Sequence, residues 1–433
     1  MRIYIGNVEI AGYFTKLRDG FEKEGIRADL WFLSKNKYYQ NRMPFLVSVN
    51  QWLFDRFKKG GSSLNRWLTL PFLLFTKAVI FVWVLARYDV FILNSHAYFN
   101  FHELAVLKYF RKKIIFVCLG TESRPLYMSG NSILTKYVNE GHLKYNVCYE
   151  DVKRQKEEIE RIERYADIMI NHPPTALFHS KPFIAWMHIG FPSGNGEGAA
   201  LNSNERSRLV KILHAPSLAL SKGSAEIEAM VNNLKEQGYP VEFVRLENVP
   251  NHKVLETIRE VDIVVDELYA DIPLGGLGTE AAVAHKPVLS AGYYSGCMHS
   301  DYPAEVIPPS VFCQPEFLEQ ELLSLVVDRN KRFEIGEASA QFVKNNWNNR
   351  EVARKFMCLI NGDIPANWYF EPEKINCIHG YGMQEDKLKK FIFGYIEKYG
   401  AEALFLEHNP VLKSKVLDFV HEKRFVLSER KVS

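Results

Sequence analysis

The sequence predicts an α/β protein of two Rossmann-like domains, each a doubly wound parallel sheet, which face each other across a cleft and precede a helical C-terminal extension. Apolar strand-like runs alternate with amphipathic helical patterns, which is typical of parallel strands joined by crossover helices. The chain has 433 residues, too many for one ordinary hydrophobic core. A stretch rich in glycine, serine and asparagine near residues 192–206 separates two such series and marks the predicted boundary.

Composition and charge narrow the class of protein and of partner. Hydrophobic residues make up 47% of the chain and charged residues 24%, which is typical of a globular protein. The net charge of +3 is too small to predict a nucleic-acid partner. The six cysteines form no CxxC pair, and no charged leader with an apolar core precedes the first strand. We therefore expect a cytoplasmic protein without a disulfide framework or a zinc site.

The first predicted unit is a strand over residues 3–6, a loop, and a helix over about 14–24. Gly12 and Tyr13 lie in the loop, directly before the helix. A helix N-terminus after a glycine can bind an anion or let a sugar approach the backbone closely, so both residues are candidates for ligand binding. A simple tight turn is the alternative.

Residues 52–88 form an unusual segment. Residues 68–86 are apolar on nearly every helical face, and only Pro71 and Lys77 interrupt the run. Tryptophans and basic residues precede it: Trp52, Arg56, Lys58, Lys59, Arg66 and Trp67. Such flanks suit the headgroup region of an anionic membrane. The segment has three interpretations, namely a helix buried under the sheet, a peripheral membrane-docking element and a transmembrane helix.

Two later strands of the first domain are predicted to end in polar residues. The strand over 89–94 leads to His96, and the strand over 114–118 leads to Glu122 and Arg124. The carboxyl ends of parallel strands share one edge, so these side chains are expected to face the cleft. His96 and Glu122 are candidates for proton acceptance, and His96 and Arg124 for acceptor binding. A purely structural role is the alternative for all three.

The glycine-rich stretch between the domains invites a dinucleotide-binding interpretation, which its spacing rejects. Gly194 and Gly196 are not followed by a third glycine three residues later, and the polar stretch after them does not begin an amphipathic helix. A hinge is predicted instead. The predicted organisation is an N-terminal domain over 1–192, a hinge over 193–206, a C-terminal domain over 207–348, closing helices over 349–370 and a helical extension over 371–433.

The C-terminal half carries the most specific pattern. A strand over 210–214 leads to Lys222 and Gly223 at a helix start, and a glycine-rich loop over 275–279 leads to Glu280 at another. Both loops are expected at the carboxyl edge of the second sheet, where parallel sheets bind ligands. A lysine with free backbone amides suits a diphosphate, and a carboxylate suits sugar hydroxyls. The combination predicts a nucleotide-sugar site.

Four stretches of this half resemble the donor domain of the retaining, family-4-like glycosyltransferases of the GT-B fold: HAPS at 214–217, KGS at 222–224, DIVVDELY at 262–269 and GGLGTEAAVAHKPV at 275–288. The resemblance implies that Lys222 binds the donor diphosphate and that Glu280 binds the nucleotide ribose. It implies that the amides of residues 276–279 cradle the sugar or the diphosphate. It also implies that neither a metal nor a cofactor is used, so cationic side chains and helix ends neutralise the leaving diphosphate.

Three positions depart from the family's pattern. Ser217 stands where the family often has an arginine. Ile272 stands where it has a glutamate, with Asp271 one position earlier. The family's usual histidine after a strand of the N-terminal domain is also missing. Arg245 is the candidate for the second cation, and His96 is the candidate for the missing histidine.

These residues form the predicted site. The predicted catalytic residues are Lys222, Glu280, His96 and Glu122. The predicted donor-binding residues are Ser217, Lys222, Gly223, Arg245, Asp271, Gly275, Gly276, Leu277, Gly278, Thr279 and Glu280. The predicted acceptor-binding residues are Gly12, Tyr13, His96 and Arg124. Replacing Lys222 by alanine is expected to abolish donor turnover with little loss of stability, because a ligand contact is removed rather than core packing.

The resemblance implies a hexosyltransferase that moves a sugar from a nucleotide diphosphate sugar to a glycan or lipid-linked acceptor in bacterial surface polysaccharide biosynthesis. The expected partners are the nucleotide sugar, that acceptor and, through residues 52–88, the inner face of a membrane. Two other functions stay open. One is a sugar-nucleotide epimerase that uses Glu122 and Asp271, and the other is a catalytically silent binding protein with the same fold.

Overall fold

The structure, a computed structural model, describes residues 1–32, 45–59, 63–95, 98–99, 101–120, 122–130, 133–139, 142–194, 209–378 and 381–422. His96 and positions 195–206 of the predicted hinge lie outside them.

The strands follow one another along the chain as the alternating pattern predicts. They are β1 (Ile3–Ile5), β2 (Ala28–Leu30), β3 (Val90–Leu93), β4 (Lys113–Val117), β5 (Val138–Asn139), β6 (His142–Leu143), β7 (Ile168–Asn171), β8 (Phe183–Ala185), β9 (Val210–His214), β10 (Val241–Arg245), β11 (Ile263–Leu268), β12 (Val288–Ala291), β13 (Val311–Cys313) and β14 (Tyr369–Phe370).

The helices lie between them. They are α1 (Tyr13–Lys23), α2 (Phe45–Lys59), α3 (Ser63–Arg87), α4 (Glu103–Tyr109), α5 (Tyr145–Tyr165), α6 (Trp186–Ile189), α7 (Ser224–Glu236), α8 (Asn251–Glu260), α9 (Gly276–Val283), α10 (Met298–Asp301), α11 (Leu318–Val327), α12 (Arg329–Phe342), α13 (Asn349–Asn361), α14 (Glu385–Tyr399) and α15 (Pro410–His421).

Two sheets form the framework. The first has the strand order β14-β8-β7-β4-β3-β1-β2, and its neighbours are parallel except for β14, which runs antiparallel to β8 at the edge. The second has the order β10-β9-β11-β12-β13 and is parallel throughout. Every residue of β3 and of β11 is buried, because helices cover both faces of a parallel sheet. The predicted architecture of two doubly wound α/β domains is confirmed.

The end of the second domain returns to the first. Helix α13 packs on α1 so closely that a Cβ on Gly20 would overlap the carbonyl oxygen of Asn349. The carboxylate of Glu24, the residue directly after α1, forms ion pairs with Arg350 and Arg354 of α13. Strand β14 then extends the first sheet. These contacts brace the two sheets against each other and keep their carboxyl edges face to face.

The apolar segment of the sequence folds as α2 and α3. One side of α3 packs on the first domain through Leu73, Ile80, Phe81 and Val84. Only 22% of the window Leu70–Arg87 is buried, and this window is the one described stretch that is long and apolar enough to cross a membrane. The exposed side, called the α3 apolar face below, consists of Leu70, Phe72, Leu74, Phe75, Val79, Val82 and Trp83. Burial under the sheet therefore explains one side of the helix only.

The C-terminal extension packs on the first domain. The ring of Tyr399 on α14 stacks on Tyr149 of α5, with 4.8 Å between ring centroids. The hydroxyl of Tyr127 donates a 2.9 Å hydrogen bond to the carbonyl oxygen of Leu404. The extension is thus an integral layer of the molecule, and its leading segment passes close to the domain boundary.

Candidate functional site

A cleft of about 350 Å³ lies between the two sheets at the carboxyl ends of their strands. The loop after β1 contributes Glu9, Ile10 and Ala11 from the first domain. The second domain contributes the remaining lining residues: Ala215, Pro216, Ser217, Lys222, Leu246, Asn248, Val249, Asn251, Val254, Asp266, Gly276, Leu277 and Glu280. The structure therefore brings the predicted lysine, part of the predicted glycine loop and the predicted glutamate into one cleft.

Backbone contacts at the start of α7 place Lys222 in the cleft. Gly223 adopts a positive φ of 65° at the helix N-cap, and a Cβ there would lie only 2.6 Å from the Cβ of Leu268. The carbonyl of Lys222 accepts a 3.0 Å hydrogen bond from the amide of Leu268. Its ammonium nitrogen lies 3.4 Å from Asp266 Oδ1 and forms an ion pair with Glu267. The end of β11 thus holds the lysine and supplies both of its partners.

Burial and the neighbouring carboxylates have opposite effects on the pKa of Lys222. Burial alone would lower the pKa of Lys222, but the carboxylates of Asp266 and Glu267 outweigh it and raise that pKa above its ordinary value. Burial raises the pKa of Glu267 to about 7, although the Lys222 ammonium opposes the increase. The lysine is therefore charged at neutral pH, and its ammonium group contacts two acidic side chains.

The N-terminus of α9 is already capped by the chain itself. The amide of Gly278 donates a 3.2 Å hydrogen bond to Asp266 Oδ2, and a Cβ on Gly275 would lie 2.9 Å from the same oxygen. The amide of Thr279 donates to the carbonyl oxygen of Gly275 at 2.8 Å. The amides of Gly278 and Thr279 are therefore not bare, because an internal carboxylate and the helix itself accept their hydrogen bonds.

Glu280 lies one turn into α9 and reaches across to the first domain. Its Oε1 lies 3.1 Å from Nζ of Lys16 on α1. The side-chain amide of Asn251 donates to both carboxylate oxygens, at 3.2 and 3.1 Å. The Lys16 ammonium also lies 5.4 Å from the ring centroid of Phe191. Glu280 is thus oriented by groups from both domains, with a hydrogen-bonded carboxylate facing the cleft.

The N-terminus of α1 faces the same cleft and is also capped internally. The carboxylate of Glu9 accepts hydrogen bonds from the amides of Phe14 and Thr15, at 3.2 and 3.0 Å, and burial raises its pKa. Gly12 is the left-handed N-cap of the helix, with φ 75°. Tyr13 is fully buried in the core, and burial raises the pKa of its hydroxyl. Acceptor binding by Gly12 and Tyr13 is therefore unsupported, since Glu9 and its neighbours line the cleft instead.

Glu122 lies away from the main cleft. Its carboxylate accepts hydrogen bonds from the amides of Leu119 at 3.3 Å and Gly120 at 2.8 Å, within its own loop. It lines a separate depression of about 280 Å³ over the first sheet, and burial raises its pKa. The structure does not bring Glu122 together with Lys222 and Glu280, so the predicted catalytic group does not converge. His96 lies outside the described residues.

Arg124 and Asp271 meet across the domain boundary. Arg124 is fully buried, and its Nη2 donates to a carboxylate oxygen of Asp271 and to the carbonyl oxygen of Pro174. Its Nε and Nη1 have no hydrogen-bond partner among the described residues. The sequence assigned these two residues to different substrates, whereas the structure makes them one interdomain ion pair.

Arg245 lies outside the main cleft. Its guanidinium forms ion pairs with Glu228 and Glu247, and it lines a second depression of about 340 Å³. The next residue, Leu246, lines the main cleft instead. The structure therefore does not support Arg245 as the second cation.

Four charged residues of the site were not assigned a role from the sequence: Glu9, Lys16, Asp266 and Glu267. Asp266 and Glu267 directly follow the apolar strand residues of β11, so the order of strand and carboxylate was an available signal. Lys16 and Glu9 carried only the weak signal of lying near the loop before α1. Their role depends on contacts between residues that are far apart in the sequence.

Comparison with known proteins does not identify a family. No family model matches the chain, and no curated protein sequence matches it. Anabaena Alr3699/HepE in complex with UDP and glucose is 12% identical, with a TM-score of 0.48 over 83% of this chain and 99% of that one. A UDP-forming α,α-trehalose-phosphate synthase from Burkholderia xenovorans is 11% identical, with a TM-score of 0.49 over 84% of this chain and 100% of that one. S. aureus TarM, in a complex that contains UDP, is 10% identical, with a TM-score of 0.39 over 66% and 59%. At such identities and TM-scores the similarity assigns no activity to this chain.

Proposed function

We propose that the chain is a glycosyltransferase that takes a sugar from a nucleotide diphosphate sugar. One observation carries the proposal: Lys222, at a helix start, and Glu280, one turn into another helix, line the same cleft between two parallel sheets. An ammonium group suits a diphosphate, and a carboxylate oriented by hydrogen bonds suits the hydroxyls of a ribose.

The contacts of Lys222 favour one direction for the donor. Glu280 and Asn251 lie on the side of the cleft where apolar Leu246, Val249 and Val254 can cover a nucleoside. Lys222 receives the diphosphate, which replaces Asp266 and Glu267 as its partner. The sugar then extends toward Asp271. In this arrangement the protein supplies orientation and positive charge rather than a strong base.

The mechanism that we propose retains the anomeric configuration and uses no metal. The acceptor hydroxyl attacks from the face of the leaving group, and its proton passes to a phosphate oxygen. Lys222 stabilises the charge that develops on the leaving diphosphate. The epimerase alternative paired Glu122 with Asp271, and neither residue is among those that line the main cleft, so the cleft does not favour that alternative.

The test uses the purified protein with a panel of UDP-, GDP- and ADP-linked sugars, measured by isothermal titration calorimetry. At least one nucleotide sugar is expected to bind, and the Lys222→Ala variant is expected to lose that binding. Incubation of the bound donor with a membrane extract and mass spectrometry of the products then separates transfer from epimerisation. If no nucleotide sugar binds to the wild-type protein, the proposed function is wrong.

We also propose that the acceptor is lipid-linked and that the α3 apolar face docks on an anionic membrane. Phe72, Phe75 and Val82 are 64%, 67% and 63% exposed, and such a contiguous apolar surface on a helix is typical of an interaction site. The guanidinium of Arg87 lies 4.9 Å from the ring centroid of Trp83, at the end of this face. Aromatic and basic groups together suit the headgroup region of an anionic bilayer.

Vesicle co-sedimentation tests the docking surface. The wild-type protein is expected to pellet with phosphatidylglycerol vesicles more than with phosphatidylcholine vesicles. The double variant Phe72→Glu with Phe75→Glu is expected to stay in solution. Tyr109→Glu, which changes an exposed aromatic residue on α4, is the matched control and should pellet like the wild type. Equal pelleting of the double variant would contradict the proposal.

A further inference from the structure

The C-terminal extension places a tyrosine at the domain boundary, where no sequence pattern predicts one. After β14 the chain passes along the first domain, and the amide of Tyr381 donates a 3.3 Å hydrogen bond to the carbonyl oxygen of Met128. Tyr381 also forms an isolated parallel bridge with Ser129. A Cβ on Gly130 would overlap Met383, so the two backbones approach closely. These contacts fix the backbone of Tyr381 against the first domain.

The side chain of Tyr381 reaches groups of both domains. The guanidinium carbon of Arg124 lies 5.7 Å from its ring centroid. Ser221, which precedes Lys222, lies near its hydroxyl and lowers the pKa of that hydroxyl. Burial raises the pKa of this hydroxyl, and the nearby Glu267 raises it further, so the phenol is neutral at neutral pH. Tyr381 is thus a neutral hydrogen-bonding group between the Arg124–Asp271 pair and the Lys222–Glu267 pair.

The contacts of Lys222 indicate which part of a bound donor would lie near Tyr381. The ammonium contacts Asp266, which lines the main cleft with Glu280, and Glu267, which does not line it. Tyr381 lies on the Glu267 side. With the nucleoside at Glu280 and the diphosphate at Lys222, the group beyond the diphosphate is the sugar.

We propose that Tyr381 determines specificity for the donor sugar: its phenol, which lies past Lys222 and outside the lining of the main cleft, hydrogen-bonds the sugar, while the nucleotide is bound elsewhere. The inference rests on the proposed function and deepens it. It also gives the extension a role beyond stability, because the extension completes the donor site. The ring lies beside Arg124, a fully buried residue whose Nε and Nη1 have no hydrogen-bond partner in the described part of the chain.

The test compares two probes on the same variants. The nucleotide sugar that binds to the wild type in the calorimetric panel is measured beside its free nucleoside diphosphate. Tyr381→Phe is expected to weaken binding of the nucleotide sugar about fivefold, the effect of one lost neutral hydrogen bond, and to leave the nucleoside diphosphate unchanged. Tyr381→Ala is expected to weaken the nucleotide sugar more strongly, again without an effect on the nucleoside diphosphate.

A matched variant controls for loosening of the extension. Tyr399→Ala removes the stacking on Tyr149 in the same extension, away from the cleft, and is expected to lower the thermal unfolding midpoint without changing either affinity. Equal losses for both probes in Tyr381→Phe, or no loss for either, would overturn the inference while the proposed function stands. Failure of the wild type to bind any nucleotide sugar would overturn both.

Discussion

The two domains present the same feature to the cleft and use it differently. In each, a helix begins at the carboxyl edge of the sheet, and a carboxylate from earlier in the chain caps its N-terminus. Glu9 caps α1 in the first domain, and Asp266 caps α9 in the second. The carboxylate of Glu9 accepts hydrogen bonds from the amides of Phe14 and Thr15 and from Thr15 Oγ1, whereas Asp266 also contacts the Lys222 ammonium.

This difference indicates where a ligand can compete with the protein. An anion that enters near α9 gains Lys222 as a partner when it takes the place of Asp266. At α1 an anion would have to replace Glu9, whose carboxylate accepts hydrogen bonds from two amides and a hydroxyl of its own turn. The second domain therefore provides the exchangeable charges, and the first domain provides a fixed wall together with Lys16. The following predictions test this division, beginning with the largest expected effect.

Lys222→Ala should have the largest effect. Donor turnover is expected to fall about 100-fold or more, because a cation that stabilises the leaving diphosphate is removed. The structure also revises the expected effect on stability, since Asp266 and Glu267 would remain buried without their counter-charge. The free energy of unfolding is expected to fall by about 3 kcal/mol. Turnover assays and urea denaturation measure the two effects.

Lys235→Ala is the control for this prediction. Lys235 is an exposed lysine on α7, the helix that begins just after Lys222, and its replacement should change neither quantity. If Lys222→Ala retains full turnover, the ion pairs of Lys222 with Asp266 and Glu267 have only a structural role. The second domain then does not provide exchangeable charges for the donor.

The protonation of Glu267 is expected to make the free energy of unfolding depend on pH. Its pKa is raised to about 7 in the folded state by burial, so the folded protein binds this proton more tightly than the unfolded chain does. The stabilising effect of the proton is complete below the unfolded pKa and is lost as the pH rises toward 7. Between pH 5 and pH 8, the wild type is expected to lose about 2 kcal/mol of unfolding free energy relative to Glu267→Gln.

Urea denaturation of both proteins at several pH values measures this difference. Glu236→Gln, at the exposed end of α7, is the control and should follow the wild type throughout the range. A constant difference between Glu267→Gln and the wild type would show that Glu267 has the same proton affinity in the folded and unfolded states.

Glu280→Gln should have an intermediate effect. The amide cannot form the ion pair with Lys16 and binds ribose hydroxyls less strongly than a carboxylate, so the donor KM is expected to rise about tenfold. Lys16→Met separates the two causes. If Glu280 acts on the donor, Lys16→Met frees its carboxylate and changes the donor KM much less. If both variants raise the KM equally, the residue only bridges the domains.

The residues in these predictions also show how far the sequence could be interpreted. The position of Lys222 and Glu280 follows from local strand–loop–helix order, which is visible over a few residues. Lys16 lies 264 positions from Glu280, and no local pattern reports such a contact. The same limit applies to Tyr381, which arrives from the extension. The assignment of Arg245 to the donor site is unsupported for a simpler reason. Leu246 lines the main cleft, whereas the adjacent Arg245 lines a different depression.

Glu122→Gln should have the smallest effect and is the sharpest test of the first domain. Its carboxylate accepts two amides of its own loop, and glutamine has the same shape and can still accept one of them. Turnover is therefore expected to stay within about twofold of the wild type, since a loop contact rather than a ligand contact is changed. Steady-state kinetics with the donor identified by calorimetry measures it. A tenfold loss of kcat with an unchanged unfolding midpoint would place a proton-transfer group in the first domain, and the description of that domain as a fixed wall would be wrong.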